Sequence, residues 1–234
     1  MLFRSKRLQT DYIDLYQLHW PSRNVPVFGQ LFFNPEHERP SIAIEETLQV
    51  LHELIDEGKI RYIGVSNESS WGVSEFIYCA QTMGLPRIVS IQNGYHLANR
   101  CFESGLDETC YRENVSMLAY SPLAFGQLTG KYIDNPQAKG RLTHFPPTWS
   151  PRYLRPSVVE ATKHYMKLAK DNGMSPTQLA LAWCYTRWFI ASTIIGATSV
   201  QQLEDDIDAY SIKLSDEIVK EVNAIHAEFM NPGQ

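Results

Sequence analysis

Polar and aromatic side chains stand at the carboxyl ends of five β-prone segments of the sequence. In a parallel α/β architecture the reactive groups lie at these ends, so chemistry is expected there first. The residues are His19, Ser66 with Asn67, Gln92, Tyr120 with Ser121, and Gly196. This set holds no carboxylate pair, no nucleophile beside a base and no cluster of metal ligands, and we therefore predict no metal site. It offers amide groups, one aromatic ring and one imidazole.

Several of these side chains suit a single ligand. A nicotinamide ring needs hydrogen-bond partners for its carboxamide and a flat apolar face behind it, so that hydride leaves from one side. Asn67, Gln92 and Tyr120 can supply these parts. Each also has a purely structural interpretation. Ser66 and Asn67 are residue types that favour turns and helix caps, Gln92 can be a hydrogen-bonded core amide, and Tyr120 and His19 can be structural residues of the core and the strand end. Both interpretations stay open on these residues alone.

Alternating β-prone and helical segments must position these side chains. We predict strands at 12–19, 60–66, 87–92, 115–121 and 192–197. Helical spacing of apolar residues predicts helices at 41–57, 71–83, 102–113, 156–173, 200–210 and 215–229. A further helix is predicted to begin with Ser175 as its cap and Pro176 at its first position. Nearly continuous apolar strands between helices favour parallel pairing, and therefore an α/β fold.

A Gly- and Pro-rich stretch of about 35 residues lies between Ser121 and Arg155. It is far longer than the usual connection between a strand and a helix. Because it directly follows a strand end, we predict a functional lid or clamp.

Composition restricts the class of protein. The 21 Lys and Arg against 26 Asp and Glu give a formal net charge of −5, which disfavours a nucleic-acid partner. No stretch approaches the roughly 20 apolar residues that a membrane span needs, and no signal peptide is evident, so a cytoplasmic protein without a membrane partner is expected. The cysteines follow no metal-binding spacing, and we expect reduced thiols at Cys79, Cys101, Cys110 and Cys184.

Five segments carry a resemblance to a known family. They are YIDLYQLHWP, GKIRYIGVSN, SIQNGYHLANR, LAYSPLAFGQLTGKY and IIGATSVQQLEDDI, and in this order they resemble the aldo-keto reductases over nearly the whole chain. Within that family the GxLTGKY and GAT…QL segments look closest to the Tas-like bacterial reductases and the potassium-channel β subunits. The resemblance implies a (β/α)₈ TIM barrel and an NADP-dependent oxidoreductase that reduces aldehydes or ketones to alcohols.

The resemblance also implies roles for individual residues. His19 is then the catalytic histidine that polarises the substrate carbonyl, and Trp20 lines the substrate pocket. Ser66, Asn67 and Gln92 hold the nicotinamide carboxamide, while Tyr120 stacks on the ring. The remaining cofactor-binding residues contact the phosphates and the adenosine, and they are Ser121, Pro122, Leu123, Ala124, Phe125, Lys131, Arg141, Gly196, Thr198, Gln202, Asp205 and Asp206.

The sequence departs from the family pattern at two positions. Asp206 stands where the family usually has asparagine, and Gly94 stands where a proline is common. No basic residue occurs between Gly196 and Asp206, so recognition of a 2′-phosphate rests on Arg141 or on hydroxyls. NADP(H) is the expected cofactor, and NAD(H) stays open.

The family's catalytic aspartate, tyrosine and lysine come from the first three βα units, and they have no counterparts in this sequence. We therefore expect the C-terminal portion of one aldo-keto reductase domain over 1–234, an incomplete barrel of about strands 4 to 8. Without a positioned acid, which is worth about 10²- to 10⁴-fold, such a fragment is expected to be nearly inactive. Its open edges favour self-association, and the oligomeric state is not predicted.

Two alternatives remain. The first is a non-catalytic protein that binds a nicotinamide nucleotide, or a regulatory subunit like the channel β subunits. The second is a different parallel-barrel enzyme with a phosphate site near its last strands.

Overall fold

A five-stranded sheet runs through the fold of the chain, of which the computed structural model describes residues 7–234. The strands are β1 (Ile13–Leu18), β2 (Ile60–Ser66), β3 (Ile88–Gly94), β4 (Ser116–Tyr120) and β5 (Ile190–Ile194), hydrogen-bonded in chain order. β1 pairs with β2, and β2 with β3, in parallel. The predicted α/β class with a parallel sheet is confirmed. The sheet is consistent with part of a (β/α)₈ barrel, and the incomplete barrel stays a prediction.

Helices connect these strands, and two more follow the last strand. They are α1 (Ile44–Asp56), α2 (Ser70–Met83), α3 (Leu106–Arg112), α4 (Pro156–Asp171), α5 (Pro176–Tyr185), α6 (Val200–Asp208) and α7 (Asp216–Glu228). Gly84 ends α2 in a left-handed conformation with φ of 65°, which glycine adopts at little cost. Ser175 caps α5, as predicted, and the structure adds a capping box with Gln178. None of the helices within residues 7–234 combines the length and apolar character needed to cross a bilayer.

Two predicted elements differ from the structure. The helix predicted at 102–113 is broken into a turn at Cys101–Glu103 and α3, because Gly105 between them has φ of 108°. The last strand, predicted at 192–197, lies at Ile190–Ile194, so Gly196 does not end it. The backbone N–H of Thr198 donates to the Gln202 side chain at 2.9 Å, and this segment therefore joins the start of α6 instead of the sheet.

The long stretch after β4 has structure of its own. It contains five short helical segments, at Ala124–Thr129, Lys131–Asp134, Arg141–His144, Pro147–Trp149 and Pro151–Leu154. Its predicted role as a lid or clamp stays a prediction.

The chain divides into two compact units. The first comprises Met1–Val25, described from Arg7 onward, with Phe32–Asn93 and Gly105–Met117. Its core holds Leu48 and Leu51 of α1, Ile63 and Val65 of β2, and Val73, Phe76 and Ile77 of α2, all at most 4% exposed. The apolar side of α1 thus packs as its helical spacing predicts.

The second unit comprises Pro26–Leu31, Gly94–Ser104 and Leu118–Gln234. Its largest buried side chains are Tyr95, Tyr153, Tyr165 and Trp183. Buried tyrosine and tryptophan need partners for their polar atoms. Tyr165 donates to Leu97 O at 3.1 Å, and Trp183 Nε1 donates to Tyr95 Oη at 3.0 Å.

Candidate active site

Hydrogen bonds within the first unit join the carboxyl-terminal parts of β1, β2 and β3. β3 continues to Gly94, so Gln92 lies two residues before the end of the strand that it was predicted to end. Asn67 Nδ2 donates to His19 O at 2.8 Å and to Ser66 Oγ at 3.2 Å. The Asn67 backbone N–H and Ser66 Oγ both donate to Gln92 O, at 3.1 and 2.6 Å. Asn67 has φ of 57°, a left-handed conformation that asparagine tolerates better than most residues. The structure thus brings His19, Ser66, Asn67 and Gln92 together.

Ser66 ends β2 and the chain bends at Asn67, but the interpretation that these residues cap the next helix is wrong. The cap of α2 is Ser69, whose hydroxyl accepts from Gly72 N at 3.3 Å. The intervening Glu68 is buried, and its carboxylate binds Arg23 through two hydrogen bonds of 2.6 and 2.8 Å. The helix cap and the buried charge thus belong to other residues. The Asn67 side chain instead links the end of β1 to the end of β2 through its hydrogen bonds.

Gln17 is a site residue that the strand ends alone did not indicate. Its Oε1 accepts from Gln92 Nε2 at 2.8 Å, across the intervening strand β2. Gln92 Oε1 has no hydrogen-bond partner within the described part of the chain, so it remains able to accept from a ligand. Side chains alternate faces along a strand, so Gln17 shares a face with His19. That alternation is the signal by which it could have been found.

Gly64 lies between Gln17 and Ser90 in the sheet register. A Cβ atom there would collide with Ser90 Oγ and would lie 3.0 Å from Ser90 O and 3.3 Å from Gln17 Cγ. We expect Gly64→Ala to lower the free energy of unfolding by about 1 to 3 kcal/mol through overpacking, measured by urea denaturation. Gly196→Ala is the control, since nothing lies within 4 Å of its added Cβ. Equal stability of the two variants would contradict this packing.

His19 and Trp20 form one aromatic pair after β1. Their ring centroids are 4.2 Å apart with an interplanar angle of 30°, and both residues are exposed. The indole therefore restricts the orientation of the imidazole. An exposed imidazole held by stacking can donate a hydrogen bond to a ligand oxygen.

Tyr120 lies in the second unit, against Gly94. Ring atoms Cε2, Cζ and Oη of Tyr120 would each be 3.3 Å from a Cβ placed on Gly94. Burial, with a smaller contribution from Tyr153, raises the pKa of Tyr120, although Arg152 opposes this. The phenol therefore stays neutral at physiological pH. The small Gly94, which departs from the family pattern, allows the ring to rest on the backbone.

The segment after Tyr120 turns through left-handed backbone conformations. Ser121, Ala124 and Phe125 have φ of 55°, 48° and 57°, each unfavourable for a residue with a side chain. Such conformations cluster at ligand sites because the surrounding structure must enforce them. The guanidinium of Arg141 lies 4.0 Å from the Phe125 ring centroid, so the structure brings these two predicted residues together. Lys131 Nζ lies 3.4 Å from Lys139 O.

The residues predicted to receive the adenosine surround the start of α6. Thr198 donates to Gln202 Oε1 from its backbone N–H and from its hydroxyl, at 2.9 and 3.0 Å. Asp205 is exposed and accepts from Gln201, whereas Asp206 is buried. Burial, together with the charge of Asp205, raises the pKa of Asp206. The structure thus pairs Thr198 with Gln202. No atom lies within 4 Å of a Cβ placed on Gly196, so this position has open space around it.

These observations define a class: a parallel α/β protein whose polar and aromatic side chains collect at strand ends. The model of the aldo/keto reductase family matches residues 4–227. Protein tas of Escherichia coli (strain K12) is 43% identical over 228 residues, which are 97% of this chain and 65% of that protein. An aldo-keto reductase of Babesia bovis is 39% identical over 241 residues, covering 97% of this chain and 84% of its own.

The chain belongs to the aldo/keto reductase family. The resemblance seen in the five sequence segments is thereby confirmed, and an unrelated parallel-barrel enzyme is excluded. A third relative, the NADH-specific methylglyoxal reductase of Escherichia coli, is 31% identical over 211 residues, 90% of this chain and 58% of its own. The chain spans 65% of the length of Protein tas.

Proposed function

We propose that the protein is an NAD(P)H-dependent oxidoreductase that reduces aldehydes or ketones to alcohols by hydride transfer. The observation that carries the proposal is the hydrogen-bonded cluster of His19, Ser66, Asn67 and Gln92 at adjacent strand ends. Parallel barrels place their reactive groups at such ends. Membership of a family with reductases among its relatives supports the reaction type.

The donor and acceptor set of the first unit fits a nicotinamide carboxamide. Gln92 Oε1 can accept from the carboxamide NH₂, because Gln92 Nε2 is already bonded to Gln17 and fixes the orientation of the amide. Ser66 and Asn67 would contact the same group. Their mutual hydrogen bonds support this role by fixing both side chains before a ligand binds.

The second unit supplies groups that suit the rest of the cofactor. The flat ring of Tyr120 would stack on the nicotinamide. Backbone N–H groups of the segment 121–125 would suit phosphate oxygens, except at Pro122, which has no N–H, and at Ala124, whose N–H donates to Ser121 O at 2.8 Å. Lys131 and Arg141 would add positive charge. The start of α6 would receive the adenosine, with contacts from Gly196, Thr198, Gln202, Asp205 and Asp206.

A bound nicotinamide supplies the hydride for the carbonyl carbon. His19 would donate a hydrogen bond to the carbonyl oxygen and would stabilise the negative charge that develops there. The alkoxide that hydride transfer forms would then take its proton from solvent water to give the alcohol. Trp20, stacked on His19, would orient the imidazole and form a wall for a small carbonyl substrate. The proposal defines the substrate only as an aldehyde or a ketone and names no particular compound.

NADPH is the first proposed cofactor and NADH the second. Arg141 is the basic residue proposed for a 2′-phosphate, and its contact with the Phe125 ring would hold the guanidinium in place. The acidic pair Asp205 and Asp206 favours NADH instead, because a 2′-phosphate near them is repelled. One relative carries the name NADH-specific methylglyoxal reductase, which keeps NADH in consideration.

Cofactor titration of the complete gene product tests the proposal. We expect NADPH or NADH to bind, to raise the melting temperature and to be oxidised when an aldehyde is added. Binding without oxidation, across a panel of aldehydes and ketones, would favour the nucleotide-binding regulatory protein. Absence of binding by either cofactor would overturn both functions.

Removal of the Tyr120 ring should weaken the cofactor complex. We expect Tyr120→Ala to raise the Kd for the nicotinamide cofactor about tenfold, because stacking on an aromatic ring is worth roughly 1 to 3 kcal/mol. Fluorescence titration measures the change. Tyr78→Ala removes an exposed tyrosine of α2 and serves as the control. An unchanged Kd for Tyr120→Ala would remove Tyr120 from the proposed site.

The proposed location is the cytoplasm. The four cysteines, Cys79, Cys101, Cys110 and Cys184, are free thiols, which fits a reducing compartment.

A further inference from the structure

A cavity of about 390 Å³ lies within the first unit. Its walls come from the segment after β1, the start of α1, the end of β2 and the first half of α2. Trp20, Ile42, Trp71 and Phe76 contribute apolar and aromatic surface. The volume lies within the range of roughly 300 to 1,000 Å³ that small-molecule sites occupy. Ser66 and Trp20 line it, whereas His19, Asn67 and Gln92 do not, so the cavity adjoins the proposed cofactor and substrate contacts and shares these two residues with them.

The cavity wall carries an excess of negative charge. Glu45, Glu68 and Glu75 line it together with a single basic residue, Arg23. Arg23 donates two hydrogen bonds to Glu68, so the positive charge of Arg23 and the negative charge of Glu68 neutralise each other. Neither Glu45 nor Glu75 forms a salt bridge in the part of the chain that the structure describes. Two carboxylates on one cavity wall are therefore left without a cation.

These two carboxylates are close neighbours. Carboxylate oxygens of Glu45 and Glu75 and the Sγ atom of Cys79 all lie within 4.8 Å of one another. Burial, and then the charges of Glu45 and Glu75, raise the pKa of Cys79 to about 11. Cys79 is thus a neutral thiol, and it donates to Glu75 Oε1 at 3.7 Å. Like charges at this separation repel, and a cation between them would relieve the repulsion.

Two indole rings favour an organic cation over a metal ion. Trp20 and Trp71 are 54% and 58% exposed, although Trp20 stacks on His19 and the Arg23 guanidinium lies 4.7 Å from the Trp71 ring centroid. The faces of indole rings attract ammonium groups, and their area covers hydrocarbon. A metal ion would use neither ring, and a protonated thiol is a poor metal ligand because metals bind the thiolate.

We propose that this cavity binds a small organic cation with a primary ammonium group. The ammonium lies between the carboxylates of Glu45 and Glu75, and the apolar part of the ligand packs against Trp20 and Trp71. The proposal does not depend on the reductase function. It assigns the cavity a ligand class that carbonyl reduction does not require.

Calorimetric titration of the complete gene product with benzylammonium tests the proposal. Benzyl alcohol is the matched neutral probe, with the same ring and no charge. We expect benzylammonium to bind at least about tenfold more tightly than benzyl alcohol. Glu45→Gln and Glu75→Gln should each raise its Kd about fivefold, since each removes a partly exposed charge-assisted hydrogen bond. Trp71→Leu should also weaken binding by a few fold.

Glu46→Gln is the matched control, because it removes the same charge one position away on α1 and does not line the cavity. It should leave the Kd unchanged, and circular dichroism checks that each variant is folded. Equal binding of the two probes, or equal effects of Glu45→Gln and Glu46→Gln, would overturn the proposal. A separate titration uses Zn²⁺ alone. If zinc binds, Cys79→Ser abolishes that binding and benzylammonium does not bind, the cavity is a metal site and the proposal is overturned.

Discussion

Replacing His19 with alanine is expected to slow hydride transfer by about 100- to 1,000-fold while leaving the Kd for the cofactor within about twofold of the original. The imidazole is held at the end of β1 by two contacts: its ring stacks on Trp20, and its backbone carbonyl accepts from Asn67. In the proposed function it stabilises charge that develops on the substrate oxygen only during the reaction. Its loss should therefore lower kcat and kcat/KM together.

Single-turnover oxidation of bound NADPH or NADH by an aldehyde measures the transfer step directly. His37→Ala, which removes an exposed histidine in the segment between β1 and α1, is the control. A His19→Ala protein with unchanged single-turnover rate would remove His19 from the reaction. A large rise in cofactor Kd with an unchanged rate at saturation would instead make His19 part of the cofactor site.

The strand ends of the first unit were predictable because local sequence determines them. Each strand there is a short β-prone run with a polar residue at or near its carboxyl end, and parallel strands in chain order bring these ends to one edge. His19, Ser66, Asn67 and Gln92 meet for this reason. The hydrogen bonds among them follow from the left-handed turn at Asn67, a residue type that tolerates such a turn.

Other parts of the site depend on tertiary packing and were not predictable. Gln17 and Gln92 are 75 positions apart, and Arg23 and Glu68 are 45 apart. No local pattern pairs such residues. The last strand was predicted to reach residue 197 but ends at Ile194 for a related reason: the sequence STIIGA is β-prone throughout, but hydrogen bonds at the start of α6 occupy its C-terminal neighbour Thr198.

The second large effect is expected from a buried polar network in the second unit. Arg100 donates to Glu103 through Nε at 2.8 Å and also through Nη2, and it donates to Asn223 Oδ1 through Nη1 at 2.8 Å. Tyr95 Oη donates to Glu103, and Trp183 Nε1 donates to Tyr95 Oη. Arg100 also lies 4.6 Å from the Trp183 ring centroid. These contacts link residues up to 123 positions apart.

We expect Arg100→Ala to lower the free energy of unfolding by about 3 kcal/mol, measured by urea denaturation at pH 7. Its loss leaves the Glu103 carboxylate partly buried without its hydrogen-bonded counter-charge, although the charge of Arg187 still favours its ionised form. Loss of one partner costs about 3 to 5 kcal/mol in buried pairs and less where water reaches the group. Arg112→Ala is the control, because Arg112 and Glu108 form an exposed pair that contributes at most about 1 kcal/mol. Equal losses in the two variants would show that the network adds no more than a surface pair.

The same network should give stability a dependence on acid pH. Burial opposes ionisation of Glu103, but hydrogen bonds from Arg100 and Tyr95 outweigh it and hold its pKa below the usual 4.5. A carboxyl with a lowered folded-state pKa contributes stability above its unfolded pKa, and this contribution is lost as the pH falls through the folded pKa. Between pH 7 and 3 the original protein should therefore lose more stability than Glu103→Gln, which cannot titrate. Parallel pH profiles of the two proteins would contradict this role, because the slope measures the proton that Glu103 takes up on unfolding.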